Sequence, residues 1–319
     1  MHNAYATASR KPQAASRKPQ AASRKPQAAS RKPLTDSASA QKFKQFIGPR
    51  VAILGSLLLL ATPLAAQPNH NVWAAHNRTI TVNLGALRQD YTENDPTGLT
   101  PDGTLDTERG TLNSVEFGAR WQAESLPLLL QATARRSNGG THYGGYLQSG
   151  NLLTPYSATT GNVMLDYAVR AGLPIAQGAS WQWVPFVEFQ QHRWQRGLAQ
   201  YTENFSHTAG LAGLQAQWRQ RADSEAAGPW SFELEGAVGQ MLSANMDAAS
   251  LGFDQTLGKR GLWQLGATLG YDLAPQWCIS AGAIVRRFGY GQSAEQAGMV
   301  EPSGHTLQTT FGIGLGWRY

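Results

Sequence analysis

The last fifteen residues, His305 to Tyr319, alternate without interruption. Leu307, Thr309, Phe311, Ile313, Leu315, Trp317 and Tyr319 share one parity. Gln308, Thr310, Gly312, Gly314, Gly316 and Arg318 share the other. A period of two sends these sets to opposite faces of a β-strand. One face is apolar up to the final aromatic residue, and the other consists of glycine and polar groups.

The same alternation recurs upstream. Ten segments carry it: 79–91, 111–122, 126–137, 161–173, 180–195, 205–219, 229–242, 261–273, 276–290 and 304–319. In the second, Val115, Phe117, Ala119 and Trp121 oppose Glu116, Gly118, Arg120 and Gln122. No segment sustains a helical period. The connections 92–110, 123–125, 138–160, 174–179, 196–204, 220–228, 243–260, 274–275 and 291–303 alternate between longer and shorter, save that 196–204 and 220–228 are equal at nine residues.

The terminal stretch resembles the last strand of Gram-negative outer-membrane β-barrels, which commonly ends in an aromatic residue after alternate apolar positions. That resemblance implies an all-β fold, a transmembrane antiparallel up-and-down β-barrel over 79–319. Ten strands are expected; eight or twelve are the alternatives if 205–219 is misread or a loop hides a hairpin. It also implies recognition by the barrel-assembly machinery through the last strand and contact with outer-membrane lipid and lipopolysaccharide. Long and short links suit such a barrel, the long ones extracellular and both termini periplasmic. An apolar content of 41% and a mean hydropathy of −0.36 are compatible, because only alternate residues face lipid. Trp121, Trp181, Trp183, Trp218, Trp230, Tyr271, Trp277, Trp317 and Tyr319 all fall at the expected periplasmic strand ends, as an interfacial girdle would. Tyr91, Trp194, Tyr201, Trp263 and Tyr290 are candidates for an outer girdle.

The basic charge belongs to the leader. Residues 1–50 hold eleven Lys/Arg and one acid, whereas the remainder holds 16 basic and 20 acidic residues. A nucleic-acid reading needs clustered basic residues on the folded part, and they are absent from the sequence there. Residues 1–50 form a basic extension with four SRKPQAA-type repeats, each with a proline, and are expected to be disordered. Residues 51–66 read as the apolar and cleavage regions of a signal peptide, since the twelve-residue run 51–62 is too short to span a bilayer. Residues 67–78 are a short periplasmic lead-in to the barrel. The single cysteine, Cys278, excludes an internal disulfide.

The inward parity carries both signs of charge: Glu116, Arg120, Arg135, Asp166, Arg170, Glu188, Arg219, Glu233, Glu235, Asp272, Arg286 and Arg318. A barrel of this size is filled or nearly filled by side chains, so these charges are expected to neutralise one another. The leading expectation is a structural or surface-interaction barrel. A narrow, porin-like solute channel and a rim-located hydrolase are the alternatives. The Asp–Asp and Asp–His pairs of omptin proteases and the His-x-Ser pairing of the outer-membrane phospholipase are missing from this sequence. His192 and His207 flank one hairpin, with Glu188 on the face of His192, an arrangement suited to acid–base chemistry. Enzyme activity, cofactor and metal are not expected. Loop 92–110 carries Glu93, Asp95, Asp102, Asp106 and Glu108 without EF-hand spacing, and solvated loop charge is the expectation.

Overall fold

The computed structural model describes residues 70–149, 152–178, 180–198, 201–220, 230–296 and 299–319. The basic extension, the signal-peptide region and the first residues of the lead-in lie outside the described residues.

The chain runs through helix α1 (His70–His76), then β1 (Thr79–Asn94), β2 (Thr104–Gln122), β3 (Leu129–Ser149) and β4 (Leu152–Gly172). A short β5 (Ala176–Gln177) precedes β6 (Trp181–Leu198), β7 (Tyr201–Arg219) and β8 (Trp230–Ala248). Short strands β9 (Phe253–Thr256) and β10 (Gly258–Lys259) lead to β11 (Gly261–Ala274), β12 (Trp277–Gly291) and β13 (Gly304–Arg318). Ten of these form one antiparallel ring in the order β1, β2, β3, β4, β6, β7, β8, β11, β12, β13. β13 returns to β1, with Thr79 opposite Arg318, and closes the barrel.

Tracing paired residues once around fixes the stagger. From Trp121 the path runs through Leu130, Ala171, Val187, Ala212, Val238, Trp263, Arg287, Leu307 and Asp90, and returns to β2 at Arg109, twelve residues on. A shear of that size on ten strands tilts them by roughly 40°. The seam is tight: Gly85 faces Gly312, and a Cβ at Gly85 would collide with the Phe311 carbonyl.

Apolar side chains stand on the outside. Leu84, Phe117, Val169, Val238, Leu265 and Ile313 are all exposed, and Ile313 is 70% exposed. The core lies inside the barrel, where Leu87, Leu112, Met164, Trp194, Phe205 and Met241 are buried.

All ten expected segments are barrel strands, but the outer ends of eight extend beyond the expected limits; those at 261 and 304 do not. β3 and β4 pair continuously from Leu129–Gly172 to Ser149–Leu152, so 138–160 is a projecting hairpin and not a loop. β1 and β2 consume most of 92–110 and leave a loop of 95–103. Gly98 and Gly103 turn that loop in the left-handed region, at φ 69° and 70°. Asp95 organises it by accepting from the Thr97 and Thr100 amides at 2.7 and 2.6 Å. The lead-in also differs from expectation. α1 is packed into the near end of the barrel, with Trp73 and Ala74 buried.

Candidate functional site: a lumen packed in layers

Four layers fill the barrel. At the near end, α1 brings Asn77 between strands. Its amide donates to Gln122 and Gln217 at 2.7 and 3.0 Å, while Gln182 donates to the same two residues at 3.0 and 2.8 Å. Trp73 Nε1 donates to the Gly178 carbonyl at 3.1 Å. These four amides are buried. The layer was not foreseen, although the repeated pairs Trp121-Gln122, Trp181-Gln182 and Gln217-Trp218 encode it: each sets an amide inward beside an outward tryptophan.

The second layer holds the twelve inward charges, and each is in an ion pair with another of the set. Arg120 grips Glu233 with both guanidinium nitrogens. Arg170 bridges Glu188 and Glu235, at 2.6 Å each, while stacking 3.7 Å over the Phe186 ring. Arg135 reaches Asp166 and Glu116 at 3.3 and 3.7 Å, and Arg286 reaches Asp166 at 3.1 Å. Arg219 and Arg318 share Asp272. The charged side chains do not fill this level. A cavity of about 280 Å³ remains among them, lined by Arg120, Arg135, Arg170 and Arg286 and by Gly118, Gly282, Gly312 and the half-buried Cys278.

The third layer is aromatic. His192 and His207 are cross-strand partners with ring centroids 5.0 Å apart. His192 Nδ1 lies 2.8 Å from Asp166, and His207 Nδ1 lies 2.9 Å from the Tyr290 hydroxyl. Glu188 does not join them, because Arg170 and Gln190 engage it. Phe288 packs on both imidazoles, and above it Tyr290, Phe205 and Trp194 stack ring on ring, with Tyr91 edge-on to Trp194. Three expected members of an outer girdle, Tyr91, Trp194 and Tyr290, are therefore inward and 1% exposed. Their parity forbids the outward face: on β1 the even positions from Ile80 onward face out.

The fourth layer was not read from the sequence. Arg196 lies among Glu93, Asp106, Glu108 and Glu203 at 3.3, 3.9, 3.4 and 2.6 Å. Its guanidinium also stands 5.3–5.4 Å over the rings of Tyr91, Trp194 and Phe205. Glu108 accepts from Thr141, Thr160 and Asn162. Glu301 is buried nearby with Oε1 unpartnered, and so is Asp106 Oδ1. Burial pushes the Asp106 carboxyl well up, and the neighbouring Glu93 pushes further. Burial likewise raises Glu203 and Glu301, and Glu93 adds to both. Three of the five acids expected as solvated loop charge, Glu93, Asp106 and Glu108, are thus interior groups. No three His, Cys, Asp or Glu side chains among the described residues are placed to hold a metal ion.

Outside the near end, Trp181 faces Trp218, Trp230 faces Tyr271 and Trp277 faces Trp317 in register. Trp121, Trp183 and Tyr319 are exposed at the same end.

No protein-family model matches this chain. No curated protein matches it either. Among solved structures, the outer membrane protease OmpT from Escherichia coli aligns with a TM-score of 0.54 at 10% identity, over 77% of this chain and 97% of that one. The transport unit of the autotransporter AIDA-I from Escherichia coli aligns at 0.42 and 10% identity, over 82% and 94%. Neisserial surface protein A aligns at 0.32 and 10% identity, over 75% and 97%. The likeness to OmpT shows the fold: this chain has the architecture of an outer-membrane β-barrel. It departs from an open barrel in having side chains across both ends of its interior, with a cavity of about 280 Å³ between them.

Proposed function

We propose that this chain is an integral outer-membrane protein whose barrel is a sealed scaffold, with its role in the surface that its outer hairpins present. The observation that carries this reading is the double closure of the lumen. Asn77 and three glutamines block the near end, and the Arg196 layer with its aromatic floor blocks the other. A solute would have to displace buried hydrogen bonds and a close-packed aromatic stack at once. The 21-residue strands β3 and β4 carry the half-buried Tyr146 and Tyr156 beyond the apolar band and supply a contact surface. Planar-bilayer recording tests the proposal. The sealed barrel gives at most small, infrequent steps, whereas large and steady conductance overturns it in favour of a channel.

A hydrolase is the second reading, favoured by the Asp166–His192 pair at 2.8 Å. That pair lies beneath Phe288 with His192 only 1% exposed, so on our reading it is a packing element. Screening lipid A and peptide hydrolysis with purified protein tests this, and turnover abolished by His192→Gln would favour the enzyme. Export through a signal peptide over 51–66 and delivery to the assembly machinery by the terminal strand belong to the same proposal. Deleting Tyr319 is then expected to leave chain in the periplasm without lowering the heat stability of barrels already inserted.

A further inference from the structure

The outward face carries a feature that a sealed scaffold does not require. Arg88, Arg136, Arg193 and Arg287 all occupy outward positions and are exposed. Register places them at one height. Arg136 and Arg193 are both paired with Leu165, one on each side of it. Arg88 is paired with Thr309 and Arg287 with Leu307, two residues apart on the same strand. Allowing for the stagger of about one residue per strand, the four lie within roughly two residues of a single level. Arg109 stands slightly above them and shares Asp90 with Arg88, at 3.6 and 3.1 Å.

Between this level and the near-end tryptophans the outward positions of the strands are uncharged. On β1 they are Ala86, Leu84, Val82 and Ile80; on β12 they are Val285, Ala283, Ala281 and Ile279. Nine residues separate Thr79 from Arg88, about 23 Å at this rise and tilt, which matches the apolar band of a membrane barrel. The arginines therefore sit at its outer boundary. Five guanidinium groups meet one carboxylate there, Asp90. Arg136, Arg193 and Arg287 have no ion-pair partner among the described residues.

We propose that this belt binds the phosphate groups of the glycolipid surrounding the barrel on its outer side. This inference rests on the outer-membrane reading. A guanidinium presents a planar fork that matches phosphate oxygens in pairs, whereas water alone gives no reason to align arginines at one height. Arg136 and Arg193, about 10 Å apart across Leu165, are the strongest pair, because two strand spacings hold them apart and no acid competes.

The experiment uses the full chain as processed on export, purified in a non-ionic detergent. Its probes are bisphosphorylated lipid A, the same lipid enzymatically dephosphorylated, and inorganic phosphate. The belt should bind the phosphorylated lipid about tenfold more tightly than the dephosphorylated one, with a preference that weakens as salt is raised. Arg136→Gln with Arg193→Gln should remove most of that preference while heat stability is kept, since both residues are exposed. If the glutamine pair does not fold, Arg136→Lys with Arg193→Lys serves, and it should reduce the preference but not abolish it. Equal binding of the two lipids overturns the proposal, as does a preference that survives replacement of all four belt arginines. Inorganic phosphate competing at the same concentration as the lipid overturns the lipid assignment. A chain that is monodisperse without detergent would instead defeat the membrane reading, and this is seen before any lipid is added.

Discussion

Two buried charge networks occupy this lumen, and they are built differently. At the level of the apolar band, six arginines share six carboxylates, and none of the twelve lacks an opposite partner. About 12 Å further out, five residues beyond Arg88, one arginine holds four carboxylates with a fifth close by. In the balanced network each charge meets an opposite one. In the outer one a single guanidinium does not offset several desolvated carboxylates. Protons must supply the difference, and burial accordingly raises Asp106, Glu203 and Glu301. Two networks of similar polarity therefore differ in kind. The first is set by side-chain pairing alone, and the second by pairing and pH together.

The largest expected effect tests the outer network directly. Arg196→Gln removes its cation and should destabilise the barrel by about 3–5 kcal/mol, read as a fall in thermal midpoint in detergent. An unchanged midpoint would mean that the carboxylates are already neutral, and the contrast between the layers would vanish. Arg170→Ala strands Glu188 and Glu235, but Arg120 and Arg286 also act on Glu235. Its cost should sit at the lower end, about 3 kcal/mol, and it should leave hydrogen exchange in β3 and β4 beyond Asn138 unaltered.

Acidity separates the networks next. Folded carboxyls with raised values hold protons more tightly than the unfolded chain does. Their contribution is complete below the ordinary carboxylate range, about pH 4, and is lost as pH rises through the raised values. Amide exchange near Glu203 and Asp106 should thus be slower at pH 5 than at pH 8, after correction for intrinsic rates, and a reversed order would sink the assignment. The smallest effect is Glu301→Gln. Neutralising an acid with an unpartnered oxygen should raise stability by up to about 1 kcal/mol at pH 8 and change little at pH 5.

The lower network was legible because its residues alternate with lipid-facing ones. Arg120 sits between Ala119 and Trp121, and Arg170 between Val169 and Ala171, so the inward parity is marked by its neighbours. Beyond the membrane the outward face of a strand meets water and is polar too, and that contrast disappears. Thr107 and Arg109 face outward while Asp106 and Glu108 face inward, yet all four are polar, and the stretch reads as a loop. The Arg196 layer was hidden for that reason. The aromatic floor was hidden by a different one. Tyr91 and Trp194 lie near strand ends, where aromatic residues ordinarily mark an interface, and only strict parity reveals that they point inward. The plug was missed because His70–His76 is one short helix whose stability comes from what it packs against, not from its own pattern.

The seam between β1 and β13 sets an order of events. Nine strand pairings join segments that follow one another in the chain, and each can form as its hairpin emerges. The tenth joins Thr79 to Arg318, about 240 residues away, and cannot exist before the last segment arrives. Bringing such distant ends together costs about 5 kcal/mol of chain entropy beyond a fixed offset. Until then the sheet has two bare edges, each able to pair with another copy. A chain cut before Gly304 is therefore not a smaller barrel but an open ribbon, and the window between the ninth pairing and the tenth is when this protein most needs an escort.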